Sequence, residues 1–123
     1  MRSIVLVEDD KDNRLLAQTV LGHMYDVQAY ATGFEAMEAM KSWVPDLIIL
    51  DISLPGMDGV EVLSRLRSDE RLKNVPVIAL TAQVGSGDRN RYLSAGFDDY
   101  IEKPIVHEEA FLQVIERSIR QKV

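Results

Sequence analysis

No cysteine occurs anywhere in the chain's 123 residues, which excludes a disulfide framework, thiol redox chemistry and thiolate metal sites. Histidine is nearly as scarce: His23 and His107 lack metal-ligand spacing, read as helix-end or surface residues, and neither reads as a phosphorylated histidine. Long apolar runs are missing too. Nothing approaches the roughly 20 consecutive apolar residues that span a bilayer, and the stretch from Ser3 to Val7 is too short for the apolar part of a signal peptide and runs straight into acids. Positive charge is in deficit, with 14 Lys and Arg against 20 Asp and Glu and a formal net charge of -6. That balance argues against direct binding to nucleic acid or an anionic membrane, and no local cluster of basic residues reaches the density such binding needs. Low-complexity tracts and internal repeats are also absent. The expectation is a soluble, cytoplasmic chain, 46% hydrophobic, whose residues 1–123 form a single domain with a core of its own.

What the chain does have is four short apolar runs that each end on a chemically distinctive group. Val5 to Val7 ends on Glu8-Asp9-Asp10, Leu47 to Leu50 on Asp51, Val77 to Leu80 on Thr81, and Tyr100-Ile101 on Glu102-Lys103-Pro104. Continuous apolar character fits strands covered on both faces, and the more polar Val27 to Ala31 adds an edge strand. Helical patterns separate the strands. The first runs from Asp12 to Met24, with Leu15, Leu16, Thr19 and Val20 at helical spacing and Gly22 as terminator. The second opens on a Thr32/Glu35 capping box, carries Phe34, Ala36, Met37 and Met40, and is stopped by Pro45. The third follows a turn-rich loop from Ser53 to Gly59, opens on an Asp58/Glu61 box and continues through Val60, Leu63 and Leu66-Arg67 until Asn74-Val75-Pro76. A short, weakly apolar helix from Arg89 to Ala95 follows the polar segment Gln83 to Asp88 and is a candidate mobile element. The last helix, His107 to Arg120, carries Phe111, Leu112, Val114, Ile115 and Ile119. Met24, Met37, Met40 and Met57 read as packing, and Trp43 as cover for the end of the second helix.

Strand-helix alternation with right-handed crossovers makes an α/β, doubly wound parallel sheet the economical fold. Chain order does not fix strand order. In the order 2-1-3-4-5, strands one and three would be central neighbours, and the reversal between them would open the crevice where open sheets bind ligands.

The strand ends would then bring three carboxylates, a hydroxyl and an ammonium to one edge. Glu8, Asp9 and Asp51 would repel one another when ionised, and a bound divalent cation relieves that repulsion. Oxygen ligands without Cys or His suit Mg2+, with Mn2+ as a substitute, better than zinc. Asp9, Asp51 and the backbone carbonyl of Ser53 read as direct ligands, with Glu8 acting through metal-bound water. Asp51 also reads as a nucleophile toward phosphorus, forming an acyl phosphate. Lys103 would neutralise charge on the transferring group, while the Thr81 hydroxyl and backbone N–H groups near Ser53 and Ala82 would bind its oxygens. Pro104 would restrain the backbone beside Lys103.

In these motifs, and over essentially its whole length, the chain resembles the receiver domain of two-component response regulators, of the stand-alone type. The resemblance rests on Val7-Glu8-Asp9-Asp10, Leu50-Asp51 followed by Leu54-Pro55-Gly56-Met57-Asp58-Gly59, Thr81-Ala82, and Tyr100-Ile101-Glu102-Lys103-Pro104, in that order and spacing. It implies the flavodoxin-like fold with five strands in the order 2-1-3-4-5 and five helices on two faces, phosphorylation of Asp51, and an acidic pair at Glu8 and Asp9. It further implies a histidine kinase or histidine phosphotransfer protein as donor and Tyr100 as a switch aromatic coupled to Thr81. Output is then implied to pass to a separate downstream protein through the face of helix 4, strand 5 and helix 5. The protein would act on itself in single turnovers and would not be a turnover enzyme. Val106 departs from the Ser or Asp often found as the last helix's cap, Asp10 adds a third acid, and Ser53 and Gln83 stand at positions that influence hydrolytic water. Three other readings compete. A constitutive, unphosphorylated receiver-like adaptor would not need the intact acidic, hydroxyl and ammonium set. An Asp-nucleophile phosphohydrolase would want a second Asp where Ser53 stands. A flavodoxin would want Ser, Thr and free backbone donors after Val7, where acids stand.

Overall fold

A computed structural model describes residues 2–54, 56–82, 88–103 and 108–121. The elements alternate as β1 (Ser3–Val7), α1 (Lys11–Leu21), β2 (Asp26–Tyr30), α2 (Gly33–Ala39), β3 (Leu47–Asp51), α3 (Gly59–Arg67), β4 (Val77–Thr81), α4 (Asp88–Ala95), β5 (Asp99–Glu102) and α5 (Glu108–Gln121). The strands form one parallel sheet in the order β2-β1-β3-β4-β5, as expected. All five residues of β3 are buried, which is why its run is uninterrupted, whereas β2 lies at an edge and keeps exposed Asp26 and Gln28.

Strand alternation divides the core into two layers. Val5, Val7, Ile48, Leu50, Val77 and Ala79 pack with Ala36, Val62, Leu63, Leu66 and Tyr92 from α2, α3 and α4. Ile4, Leu6, Leu47, Ile49, Ile78 and Leu80 pack on the other side with Ala17, Val20 and Leu21 of α1 and Phe111, Ile115 and Ile119 of α5. Among the described residues no helix is long and apolar enough to cross a membrane.

Helix starts follow the capping chemistry. Thr32 accepts from the Glu35 N–H at 3.1 Å and Asp58 from the Glu61 N–H at 2.9 Å. Asp10, the extra acid, caps α1 by accepting from the Asn13 N–H at 3.0 Å. Helix faces and ends depart from expectation in four places. α3 closes at Arg67, short of Asn74, because Ser68 caps it and Arg67 turns to hold the Lys73 and Val75 carbonyls. Leu15 and Leu16 are exposed, at 58% and 37%, because the stripe of Ala17, Val20 and Leu21 faces the sheet, and Ala17 permits close approach. Phe34 and Val60 are likewise exposed, and Val62 takes the buried place in α3. α2 ends at Ala39, well before Pro45: the Met40 carbonyl beyond it accepts from Arg71 Nη1 at 3.0 Å, which satisfies a helix end that proline was expected to stop.

A second arginine ties distant loops together. Arg67 donates to the carbonyls of Lys73, Val75 and Gly96 at 2.9, 2.8 and 3.0 Å, and to the Asp98 carboxylate at 3.0 Å. Asp98 also accepts from the Val77 N–H at 2.8 Å, so the turn after α4 is fixed to the end of α3 and the start of β4.

Candidate functional site

The carboxyl ends of β1, β3, β4 and β5 lie along one edge of the sheet. Oxygens of Glu8, Asp9 and Asp51 come within 4.8 Å of one another, with Glu8 and Asp51 buried and Asp9 exposed. Lys103, following β5, reaches into this cluster: its Nζ donates to Asp51 Oδ2 at 2.9 Å and to Glu8 Oε1 at 3.2 Å. The Ser53 N–H donates to the other Asp51 oxygen at 3.0 Å, so both oxygens of that carboxylate are oriented. The expected acids and ammonium are therefore gathered at one point.

Local backbone geometry holds the group. The Lys103 N–H donates to the Thr81 carbonyl at 2.7 Å and fixes the end of β5 to that of β4. Arg14 from α1 donates to the Glu8 carbonyl at 2.9 Å, a contact the sequence pattern did not indicate. Gly59 opens α3 directly against the end of β3, where an added Cβ would lie 2.5 Å from the Asp51 carbonyl oxygen and 2.8 Å from the Ile52 Cα. Both atoms are backbone and cannot swing aside. Gly59→Ala is expected to destabilise the protein by about 1–3 kcal/mol, measured by urea unfolding, and to lower metal affinity by displacing Asp51.

The electrostatics follow from burial. Removing the Glu8 carboxyl from water, and placing it against the hydrogen-bonding and charged Asp51, pushes its pKa up to about 8 despite the counter-charge of Lys103. For Lys103, burial works against the charge, but its bonds to Asp51 and Glu8 and their negative charge outweigh it and hold the ammonium above the ordinary lysine range. With the Glu8 pKa near 8, a proton on that carboxyl would lighten the negative charge of the cluster when no cation is bound. Three carboxylates without a sulfur or nitrogen ligand form a donor set for a hard divalent cation, and the residues fit Mg2+.

Thr81 is buried at the end of β4, and its hydroxyl lies 3.0 Å from the hydroxyl of Tyr92 on α4. Tyr100 is half-buried on β5, its ring 6.3 Å from that of Tyr92. Tyr92 was not singled out by the sequence, because nothing in a weakly apolar helix marks which residue faces a strand end. Ser53 and Ala82 are exposed at the mouth of the site. Gln83, Pro104, Val106 and His107 lie outside the described residues.

The family model for the response regulator receiver domain matches residues 4–116. The chain belongs to the response regulator receiver family. Among curated receivers it is 38% identical over 105 residues to the polar-differentiation response regulator DivK of Brucella ovis, covering 85% of each chain. It is 35% identical over 113 residues, 91% of its length, to the hybrid signal transduction histidine kinase D of Dictyostelium discoideum, and spans 7% of that much longer relative. A solved receiver domain, that of sensor histidine kinase PA1611 from Pseudomonas aeruginosa PAO1, superposes with a TM-score of 0.87 at 33% identity, covering 97% of this chain and 98% of the other, and carries magnesium in its active-site cleft. The manganese-bound form of response regulator Rcp1 superposes with a TM-score of 0.76 at 29% identity, covering 93% and 89%.

Proposed function

We propose that Asp51 accepts a phosphoryl group from a phosphohistidine donor and that the receiver then relays it or changes its affinity for another protein. The observation that carries this reading is the convergence of Glu8, Asp9 and Asp51 within 4.8 Å, with Lys103 bonded to Asp51 at 2.9 Å. An Asp51 oxygen attacks phosphorus as the phosphorus–nitrogen bond to the donor imidazole breaks, and the bonding pair leaves with the imidazole nitrogen. The products are an acyl phosphate on Asp51 and a free histidine.

Glu8, Asp9, Asp51 and the Ser53 carbonyl would hold Mg2+, or Mn2+ in its place, and metal-bound relatives support that assignment. When bound, the ion supplies positive charge against the phosphoryl oxygens. Lys103 neutralises charge from the protein side, and the Thr81 hydroxyl with the N–H groups near Ser53 and Ala82 binds the equatorial oxygens. Nothing in this cycle releases a transformed substrate, so the chemistry is self-directed. The donor is a histidine kinase or a histidine phosphotransfer protein, a reading that a relative named as a hybrid histidine kinase supports. We assign output to the face of α4, β5 and α5, with Tyr100 as the switch aromatic, and place the protein in the cytoplasm.

The test is incubation with Mg2+ and a panel of phosphorylated histidine donors, followed by intact mass and site mapping. A single Mg2+-dependent acyl phosphate on Asp51 is the expected product. Label on another residue, or none from any competent donor, refutes the assignment.

A further inference from the structure

We propose that Tyr92 is a positioning residue for this site: its hydroxyl holds the Thr81 hydroxyl toward α4, and that bond must break before Thr81 engages a phosphoryl group on Asp51. The proposal deepens the phosphoacceptor reading and rests on it.

The two hydroxyl oxygens lie 3.0 Å apart between buried side chains. Arg91 Nη2 donates to the same tyrosine oxygen at 3.1 Å, and its guanidinium lies over the ring, 5.0 Å from the centroid. Each hydroxyl can donate or accept, so the bond between Thr81 and Tyr92 can form in either sense. Strand alternation supplies the direction. Asp51 pairs with Leu80, whose side chain lies in the α1 and α5 layer, whereas Thr81 is one residue on and faces the α2, α3 and α4 layer. A Thr81 hydroxyl bonded to Tyr92 is thus turned from the side on which Asp51 stands.

Tyr92 is poorly placed to follow if Thr81 turns. Its ring packs edge-on against Phe97 at 6.4 Å and tilted against Tyr100 at 6.3 Å. The turn after α4 is fixed through the bond from Arg67 to the Gly96 carbonyl at 3.0 Å. Turning Thr81 toward Asp51 therefore breaks its bond to Tyr92, and the change reaches α4 directly through Tyr92. A bond made in only one of two states shifts their balance by its own net strength, which for neutral hydroxyls is about three- to tenfold in affinity.

The experiment titrates the full chain with beryllium fluoride, a phosphoryl mimic, in Mg2+ by calorimetry. It compares wild type, Tyr92→Phe, Thr81→Val and the double variant, with thermal melts of each. Tyr92→Phe keeps the ring and loses only the hydroxyl. It is expected to bind the mimic about three- to tenfold more tightly, with thermal stability unchanged or lower, and to bring no gain when Thr81 is already valine. A merely structural role would lower stability and affinity together. Unchanged or weaker binding by Tyr92→Phe, or an equal gain in the Thr81→Val background, overturns the role of Tyr92 while leaving Asp51 as acceptor. Absence of Mg2+-dependent binding by wild type, or equal binding by Asp51→Asn, removes the acceptor reading and this proposal with it.

Discussion

Asp51→Asn is expected to abolish phosphoryl acceptance, by at least about a thousandfold, while leaving the fold intact. The amide keeps the shape of the carboxylate, and its one oxygen can still accept from the Ser53 N–H, a contact of 3.0 Å in the wild type, while the bond from Lys103 to the second oxygen is lost. What it lacks is the anionic oxygen that attacks phosphorus. The same substitution has a second, separable consequence. Burial is the largest reason that the Glu8 carboxyl sits near 8, and the hydrogen bond and charge of Asp51 come next. Removing the Asp51 charge leaves Lys103 free to serve Glu8 alone. The Glu8 midpoint should fall below 8 yet stay above the ordinary carboxylate range, as followed by carbon-detected NMR of the side-chain carboxyl. An unmoved midpoint would show that the two acids do not share one electrostatic unit, and the case for a joint metal site would weaken with it.

The strands and the acidic cluster were legible because each depends on neighbours in sequence. Leu47 to Leu50 is a continuous apolar run because α-helices cover both faces of β3, and the acids at strand ends converge once the strands lie parallel. Caps were equally local, as at Thr32 and Asp58. Asp10 obeys the same rule, but its place in an acidic triplet fits cation attraction equally well, so the cap does not stand out in the sequence.

What was illegible depends on pairs far apart in the chain. The end of α2 is fixed by Arg71 reaching a carbonyl 31 residues earlier, and the turn after α4 by Arg67 reaching Gly96, 29 residues later. An arginine that satisfies backbone carbonyls looks in sequence like any solvated surface arginine. The exposed Leu15 and Leu16 mark a related limit: apolar spacing fixes the period of α1, but which stripe faces the sheet was decided by Ala17, a small residue that carries little apolar signal. Tyr92 combines both difficulties, since its importance appears only when α4 is docked and its hydroxyl meets Thr81.

Metal-free protein is expected to lose stability as pH rises from about 4.5 to about 8, and Mg2+ to reverse the trend. The ordinary Glu value of 4.5 stands for the unfolded chain, and the folded Glu8 titrates near 8. Between those values the folded state binds more protons than the unfolded state, so the stability of the fold has a negative slope with pH. Above about 8 the carboxyl is ionised in both states and its contribution levels off. Lys103 does not oppose this in the same window: its folded pKa is raised above 10.5, so its contribution is lost only as pH climbs through that higher value. A cation that needs the carboxylates charged must displace the Glu8 proton. Its affinity should therefore rise with pH, by at most about tenfold per unit below pH 8, and then flatten. Calorimetry in buffers of different ionisation enthalpy should detect up to about one proton released per ion near neutral pH. Urea unfolding across the same range should show the negative slope without Mg2+ and little slope at saturation. Glu8→Gln is the control, since a permanently neutral side chain should erase the pH dependence of both stability and binding while weakening the ion at every pH. A Mg2+ affinity independent of pH between about 6 and about 8 would mean that Glu8 is already ionised beside Asp51, and that Lys103 alone holds the buried acids together.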